Sequence, residues 1–150
     1  MREILFRAKR MDNGEWVESG CIIQFLDNGV RSFYMPQFNT KCICTHDYVT
    51  DDILEFTNCR FYKVDPETVC QYTGLTDNNG KKIWENDICI IHSSNIDEED
   101  GYFTVEWDDD GARIVLNGNS LTVDFDNFYG HECEVIGNIF DNPDLLEVPE

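Results

Sequence analysis

Val64-Asp-Pro-Glu-Thr-Val-Cys-Gln-Tyr-Thr-Gly-Leu-Thr-Asp-Asn-Asn-Gly-Lys-Lys-Ile-Trp-Glu-Asn-Asp-Ile88 is the stretch whose reading decides the fold. Apolar and β-favouring residues stand at its two ends, and the densest turn signals of the chain lie between them. Asp65-Pro66 suits a turn opening, because proline presets φ at the first central position. In the arm that follows, Val69, Gln71 and Thr73 face one side of a strand, and Cys70 and Tyr72 the other. Gly74 ends that strand, and Asp77-Asn78-Asn79-Gly80 closes a hairpin. Asn-Gly is the dipeptide that best tolerates the positive φ such a turn needs. The return arm Lys82-Ile83-Trp84 leads through Asn86-Asp87 into a strand from Ile88 to Ile91.

The same punctuation recurs on both sides. Upstream, Ile4 to Lys9 reads as a strand with Ile4, Phe6 and Ala8 on one face, and Asp12-Asn13-Gly14 as a hairpin turn. Trp16 to Phe25 is the return arm, with a bend at Gly20. Asp27-Asn28-Gly29 turns the chain again into Val30 to Met35, so the N-terminal part is expected to be an antiparallel meander. Thr50 to Phe56 fits a short helix with Thr50 as N-cap, or a loop into another strand. Arg60 to Val64 is a strand. Downstream, Gly101 to Trp107 alternates cleanly, with Phe103, Val105 and Trp107 on one face and Tyr102, Thr104 and Glu106 on the other. Asp108-Asp109-Asp110-Gly111 and Asn117-Gly118-Asn119 are turns, with strands at Ala112 to Leu116, Ser120 to Phe125 and Cys133 to Ile139. About five short strands between Ile88 and Ile139 suit a small barrel of SH3-like type. The expected fold is mainly β, with at most one short helix. Residues 1–64 form an N-terminal β subdomain, 65–143 an SH3-like β-barrel subdomain, and 144–150 a loose tail.

Val69-x-Gln71-Tyr72-Thr73-Gly74-Leu75, Asp77-x-Asn79-Gly80-Lys81, Ile83 and Glu85-x-Asp87-Ile88 together resemble the signature of the YopX family, small proteins of bacteriophages and prophages. The resemblance extends to Phe6-Arg7-Ala8 and Trp16-Val17 near the start. Near the end it takes in Glu134-Val135-Ile136-Gly137-Asn138-Ile139 and Asn142-Pro143. One departure is Asn86, where the family usually has glycine; asparagine is the next-best residue for a left-handed backbone, which keeps the turn. The resemblance implies the SH3-like architecture for the C-terminal part and implies no settled biochemical activity.

Composition limits the choices further. Hydrophobic residues make up 41% and aromatics 13% of 150 residues, enough for a core and against disorder in the bulk of the chain. No apolar run approaches the ~20 residues of a membrane helix, and Met1 to Arg7 has no secretory pattern, so the expected compartment is the cytoplasm of a bacterial host. Seven cysteines, an odd number without an export signal, read as reduced, small hydrophobic residues. Charge is the unusual bulk property. Residues 1–75 carry 8 Lys/Arg against 11 Asp/Glu, a net of −3; residues 76–150 carry 3 against 19, a net of −16. That half repels nucleic acid and acidic membranes and attracts basic partners, or simply solubilises the protein. Only Arg2, Arg7, Lys9 and Arg10 offer a small basic face.

Four constellations could carry chemistry. Cys42-x-Cys44-x-His46 projects two thiols and an imidazole from one face of a strand, a set zinc accepts. The spacing is not that of paired zinc cysteines and no second pair follows, so two buried thiols and a surface histidine is the preferred reading. The acids Asp97, Glu98, Glu99, Asp100 and Asp108, Asp109, Asp110 are contiguous rather than alternating, which fits a solvated acidic patch better than a calcium loop. His131 stands near Cys133, but no nucleophile elbow, Walker loop, Gly-x-Gly-x-x-Gly or His-Glu-x-x-His occurs, and catalysis is not expected. Tyr72, Trp84, Trp107 and Tyr102 are candidates for an aromatic peptide-binding surface, against the plainer reading that they are core.

The sequence therefore favours a non-catalytic protein-binding module, an adaptor or host-modulating protein, with a host or phage protein as partner, a basic one by charge. No cofactor, metal, direct nucleic-acid binding or membrane association is expected. The alternative is an acidic DNA mimic inhibiting a host nuclease or DNA-binding protein, for which carboxylates would need ordered rows. A homo-oligomer built through exposed strand edges is a further option.

Overall fold

Asn28 and Gly29 both have positive φ, 48° and 82°, and Asp27 pairs directly with Val30. This is the two-residue hairpin that Asn-Gly encodes, and its twist matches that of the strands it joins. The computed structural model describes residues 3–38, 46–49, 53–56, 59–92, 100–118, 120–125 and 132–146. Those residues are mainly β, in several antiparallel sheets, with two 3-10 turns, Pro66–Thr68 and Pro143–Leu146. By its internal contacts the chain divides into two compact units, Glu3–Gln71 and Tyr72 onward.

In the first unit, β1 (Phe6–Lys9) and β2 (Trp16–Ser19) form one hairpin. The strands β3 (Ile23–Asp27), β4 (Val30–Phe38), β5 (His46–Val49), β6 (Ile53–Phe56) and β7 (Cys59–Val64) form a sheet in the order β3-β4-β7-β6-β5. One expectation is corrected here, and one open alternative is decided. The meander is interrupted at Gly20: β2 pairs with β1 but not with β3, and Ser19 Oγ accepts the Cys21 N–H at 3.2 Å, turning the chain out of β2. For Thr50 to Phe56, where the sequence leaves a short helix and a loop into a strand equally open, Ile53–Phe56 is a strand, paired with β7 from Ile53↔Tyr62 to Phe56↔Cys59. Ala8, Val17, Met35, Tyr62 and Val64 make the core of this unit.

The boundary between the two units falls inside β8 (Cys70–Thr76). The Asp65 turn belongs with the first unit because Asp65 donates its N–H to Lys9 O at 2.8 Å, and the Lys9 N–H reaches Thr68 Oγ1 at 2.8 Å. Asp65 caps the 3-10 turn by accepting the Glu67 N–H. Cys70 and Gln71 then pair with β1.

The second unit begins with the hairpin of β8 and β9 (Lys82–Trp84), paired at Tyr72↔Trp84 and Thr76↔Lys82. Gly74 does not end β8. At φ 88° it forms a bulge, and the Thr73 hydroxyl donates to Ile83 O at 2.8 Å while accepting the Leu75 N–H, which keeps the ladder satisfied across the gap. Five further strands, β10 (Asp87–Ile91), β11 (Gly101–Asp108), β12 (Arg113–Gly118), β13 (Leu121–Asp124) and β14 (Cys133–Asn138), lie in the order β13-β12-β11-β10-β14. A four-strand meander is thus completed by a fifth strand returning beside the first. Ile83, Cys89, Phe103, Val105, Leu116, Phe125, Cys133 and Val135 form the core.

Gly118 was expected in a turn but is the last residue of β12, paired with Leu121. A Cβ there would run into the Tyr102 carbonyl oxygen and lie 3.1 Å from Phe103 Cα, both backbone atoms that cannot rotate away. Gly118→Ala should therefore cost about 1–3 kcal/mol, the usual range for overpacking. Urea denaturation checks it; an unchanged midpoint would show that β11 yields freely.

Candidate functional site

Tyr102 and Trp107 are separated by five positions on β11, so alternation places them on opposite faces of the sheet. Both are exposed, at 44% and 50%. Trp107 lies on the core-facing side, opposite Ile114, but one residue from the end of the strand, beyond the cover that buries Phe103 and Val105. Tyr72 and Trp84 are buried, with ring centroids 5.5 Å apart and planes tilted by 51°. Lys82 Nζ lies 5.4 Å from the Tyr72 ring. The four aromatics therefore do not share one groove: two are core and two stand on different faces. Only Trp107 and Tyr102 remain as surface.

The hairpin tip beside Trp107 is acidic. Asp108 pairs with Arg113 across the turn, and the Arg113 guanidinium bridges Asp108 at 3.1 Å and Asp124 at 2.7 Å. That hydrogen bond holds the Asp108 carboxyl below the usual carboxylate range. Asp108 also accepts the Asp110 N–H at 3.2 Å, shaping the turn. Asp109 and Asp110 are exposed. On the same face as Asp108, opposite that of Trp107, Glu106 accepts from Thr104 Oγ1 and from Asn117 Nδ2, whose amide oxygen takes the Thr122 hydroxyl. Arg113 and this polar ladder cross three strands, so no sequence-local signal announced them.

Of the other acidic segment, Asp97, Glu98 and Glu99 lie outside the described residues. Asp100 is described: its carboxylate is 2.9 Å from His92 Nδ1, while His92 Nε2 lies 3.5 Å from Glu134. The hydrogen bonds to Asp100 first and Glu134 second raise the His92 pKa. A raised folded-state pKa stabilises fully below the ordinary histidine value of about 6.5, and the gain is lost as pH rises through the folded value. An NMR titration of His92 should show a midpoint above the ordinary one, dropping towards it in Asp100→Asn. A wild-type midpoint at or below the ordinary value would contradict the pairing.

The remaining constellations are placed as follows. Cys42 and Cys44 lie outside the described residues, as does the side chain of His46; among the described residues no group of three His, Cys, Asp or Glu could hold a metal ion. His131 is likewise outside them. Cys133 is fully buried beside Cys89, whose thiol is pushed up by its hydrogen bond with Cys133 and by burial. In the small basic face, the Arg7 guanidinium and Lys9 Nζ lie 4.6 and 5.4 Å from the Trp16 ring, and Arg10 lies 3.7 Å over Tyr62 while pairing with Asp12. Among the described residues no helix is long and apolar enough to cross a membrane.

The signature residues serve as fasteners. Asp77 Oδ1 accepts the N–H groups of Asn79 at 2.9 Å and Lys81 at 2.8 Å, and its Oδ2 accepts Val135 N–H at 3.0 Å. Asn86, at φ 66°, donates its N–H to Val105 O and accepts the Ile139 N–H. Asp87 accepts the Trp84 N–H at 2.9 Å. Asn138 accepts from Phe140 and Asp141 N–H, and a Cβ on Gly137 would meet Asn142 Oδ1 at 2.5 Å.

Comparisons with known proteins agree with this architecture. A family model described as YopX protein matches residues 5–147. Among solved structures, the chain is similar to protein EF1440 from Enterococcus faecalis, with a TM-score of 0.55 and 20% identity over 98% of this chain and 100% of that one. Likeness at that identity speaks to the fold alone. A comparison with curated proteins finds no match.

Proposed function

The chain belongs to the YopX family, and on that premise we propose that it is a non-catalytic protein-binding module of a phage or prophage, acting in the bacterial cytoplasm on a basic partner. Its working surface is the β11–β12 hairpin tip. The observation that carries this reading is the half-exposed Trp107 next to the exposed carboxylates of Asp109 and Asp110. An indole left uncovered beside acids suits an Arg- or Lys-bearing segment, which gains cation–π contact from the ring and steering from the charge. The C-terminal unit is read as SH3-like, because a meander whose last strand returns beside its first suits a small five-stranded barrel. The reading requires no cofactor.

The test is capture of host proteins on the wild type and on Trp107→Ala, at low and high salt. A basic partner should be held at low salt, released at high salt, and bound at least about tenfold more weakly by Trp107→Ala. The stability of that variant should stay within about 0.5 kcal/mol, as for other surface changes. Equal binding by the variant would remove the hairpin tip from the reading. The DNA-mimic alternative draws on the net −16 of residues 76–150. It is less well supported, since Arg113 engages Asp108 and Asp124 while the exposed Asp109 and Asp110 sit in a turn rather than in a row. Displacement of the partner by duplex DNA would favour it.

A further inference from the structure

Among the described residues, β3 is an edge strand with its outer side unpaired. It pairs only with β4 among the described residues, in unbroken register from Ile23↔Tyr34 to Asp27↔Val30. Gln24, Phe25, Leu26 and Asp27 are all exposed, with Phe25 at 46%, Leu26 at 68% and Val30 beyond the turn at 65%. Edge strands are ordinarily protected by proline, lysine, a bulge or extreme shortness. Ile23-Gln24-Phe25-Leu26-Asp27 has no proline, lysine or bulge.

The alternation of its hydrogen bonds shows what this edge can accept. A two-residue turn makes Asp27–Val30 a hydrogen-bonded pair, so Phe25 and Ile23 also spend their backbone groups on β4. The N–H and C=O groups of Gln24 and Leu26 then point outward. Two outward residues flanking a central one are self-complementary. If a second β3 lies antiparallel with Phe25 opposite Phe25, each Gln24 meets a Leu26, and four backbone hydrogen bonds form. Both copies keep the same faces, as a two-fold axis through the sheet requires. Phe25 already stands edge-on to Tyr34, 5.4 Å between centroids at 88°, so the two rings at the axis extend an existing aromatic pair. In this register Asp27 faces Ile23, and the two Asp27 carboxylates stay about 14 Å apart, four strand positions at ~3.4 Å each.

We propose that β3 pairs antiparallel with β3 of a second copy of this chain, centred on Phe25, joining the two five-stranded sheets into one. Charge also favours this half of the sequence for self-association, because residues 1–75 carry only −3 of the −19. One strand pair with few side chains belongs to the small, transient class of interfaces, so the dimer forms in a concentration-dependent way. Repulsion between two acidic chains weakens with salt, and the dimer therefore strengthens as salt rises. This is opposite in sign to capture of a basic partner at Trp107, so failure of either reading can be told from failure of the other.

Sedimentation equilibrium of the full chain from micromolar to submillimolar concentration, at low and high salt, provides the test. The wild type should approach twice the chain mass, more readily at high salt. Phe25→Lys and Leu26→Pro should both remain monomeric. The proline removes an outward N–H that β4 does not use, a position edge strands tolerate. Hydrogen exchange on the wild type is independent of how the variants fold: the Gln24 and Leu26 amides should slow markedly on concentration. A wild type monomeric throughout, a dimer retained by both variants, or unprotected amides at Gln24 and Leu26 in the dimer would each overturn the proposal. A strand from some other protein occupying the edge of a monomeric wild type would overturn it as well.

Discussion

Asp77→Ala should lower the stability of the C-terminal unit by about 4 kcal/mol, a large share of what a domain of this size has to lose. Asp77 is only 3% exposed and its two oxygens accept three backbone N–H groups. Hydrogen bonds to a charged acceptor are worth roughly 1.5–3 kcal/mol each, and donors left buried without a partner add their desolvation cost. Two of the three bonds shape the tip of the β8–β9 hairpin. The third, to Val135, fastens that tip to β14 across 58 residues of sequence. Asp77→Asn separates these roles. Its amide oxygen still serves Asn79 and Lys81, but its NH2 meets the Val135 N–H donor to donor, so a loss of about 1–3 kcal/mol is expected. Urea denaturation followed by tryptophan fluorescence measures both. An alanine variant within 1 kcal/mol of the wild type would mean that water replaces the carboxylate.

The second large effect is expected at Trp84. It is 3% exposed, and its ring packs against Tyr72. Truncation of a buried tryptophan costs about 3–5 kcal/mol through lost burial and the cavity left behind. Trp84→Ala should therefore shift the unfolding midpoint strongly, and Trp84→Phe should recover part of the loss. The contrast with Trp107→Ala is informative, since at 50% exposure that change should leave stability nearly intact. Weakened partner binding by a fully stable Trp84→Ala would return Trp84 to the surface and refute its assignment to the core.

These two tryptophans also mark how far the sequence could be read. Trp84 sits in a three-residue strand, Lys82-Ile83-Trp84, too short for periodicity to say which side is covered. Trp107 obeys the alternation of β11, but the sheet ends before it is buried, and where a sheet ends depends on partners far along the chain. Local chemistry was legible wherever it was sufficient. The left-handed residues at Asn28, Gly29, Gly80 and Asn86 are where Asn and Gly predicted turns, and the five strands from Asp87 to Asn138 fall close to their expected bounds. Local chemistry failed where a neighbour decides. Ile53–Phe56 pairs with β7 although its sequence suits a helical turn equally well, and Gly74 is absorbed as a bulge because Thr73 supplies the missing hydrogen bonds. Of the candidate site, the acids of the hairpin tip could be read in the sequence. The Arg113 bridge and the exposure of Trp107 could not.

The fastening roles of Asp77, Asn86, Asp87, Gly137 and Asn138 explain why the signature identifies kinship without disclosing a task. Each of these residues, Asn86 through its main chain, fastens a corner of the backbone, and a corner is needed whatever the molecule binds. The proposed functions accordingly use positions the corners leave free: Trp107, Asp109 and Asp110 on one hairpin, and Phe25 and Leu26 on another.

The return of β14 to the flank of β10 sets the order in which the second unit can assemble. The hairpins β10–β11, β11–β12 and β12–β13 close over short separations, whereas β10–β14 joins Asp87 to Asn138 and Ile91 to Cys133. Closing so long a loop costs chain entropy before any contact compensates it. The meander should therefore form early, and docking of β14 should come late and limit the rate. Folding dominated by such distant pairings runs on the millisecond-to-second scale. Until β14 arrives, the edge of β10 and the apolar side chains of Cys89 and Ile91 stay uncovered, so the interval before docking is when this unit is most open to aggregation and to chaperones.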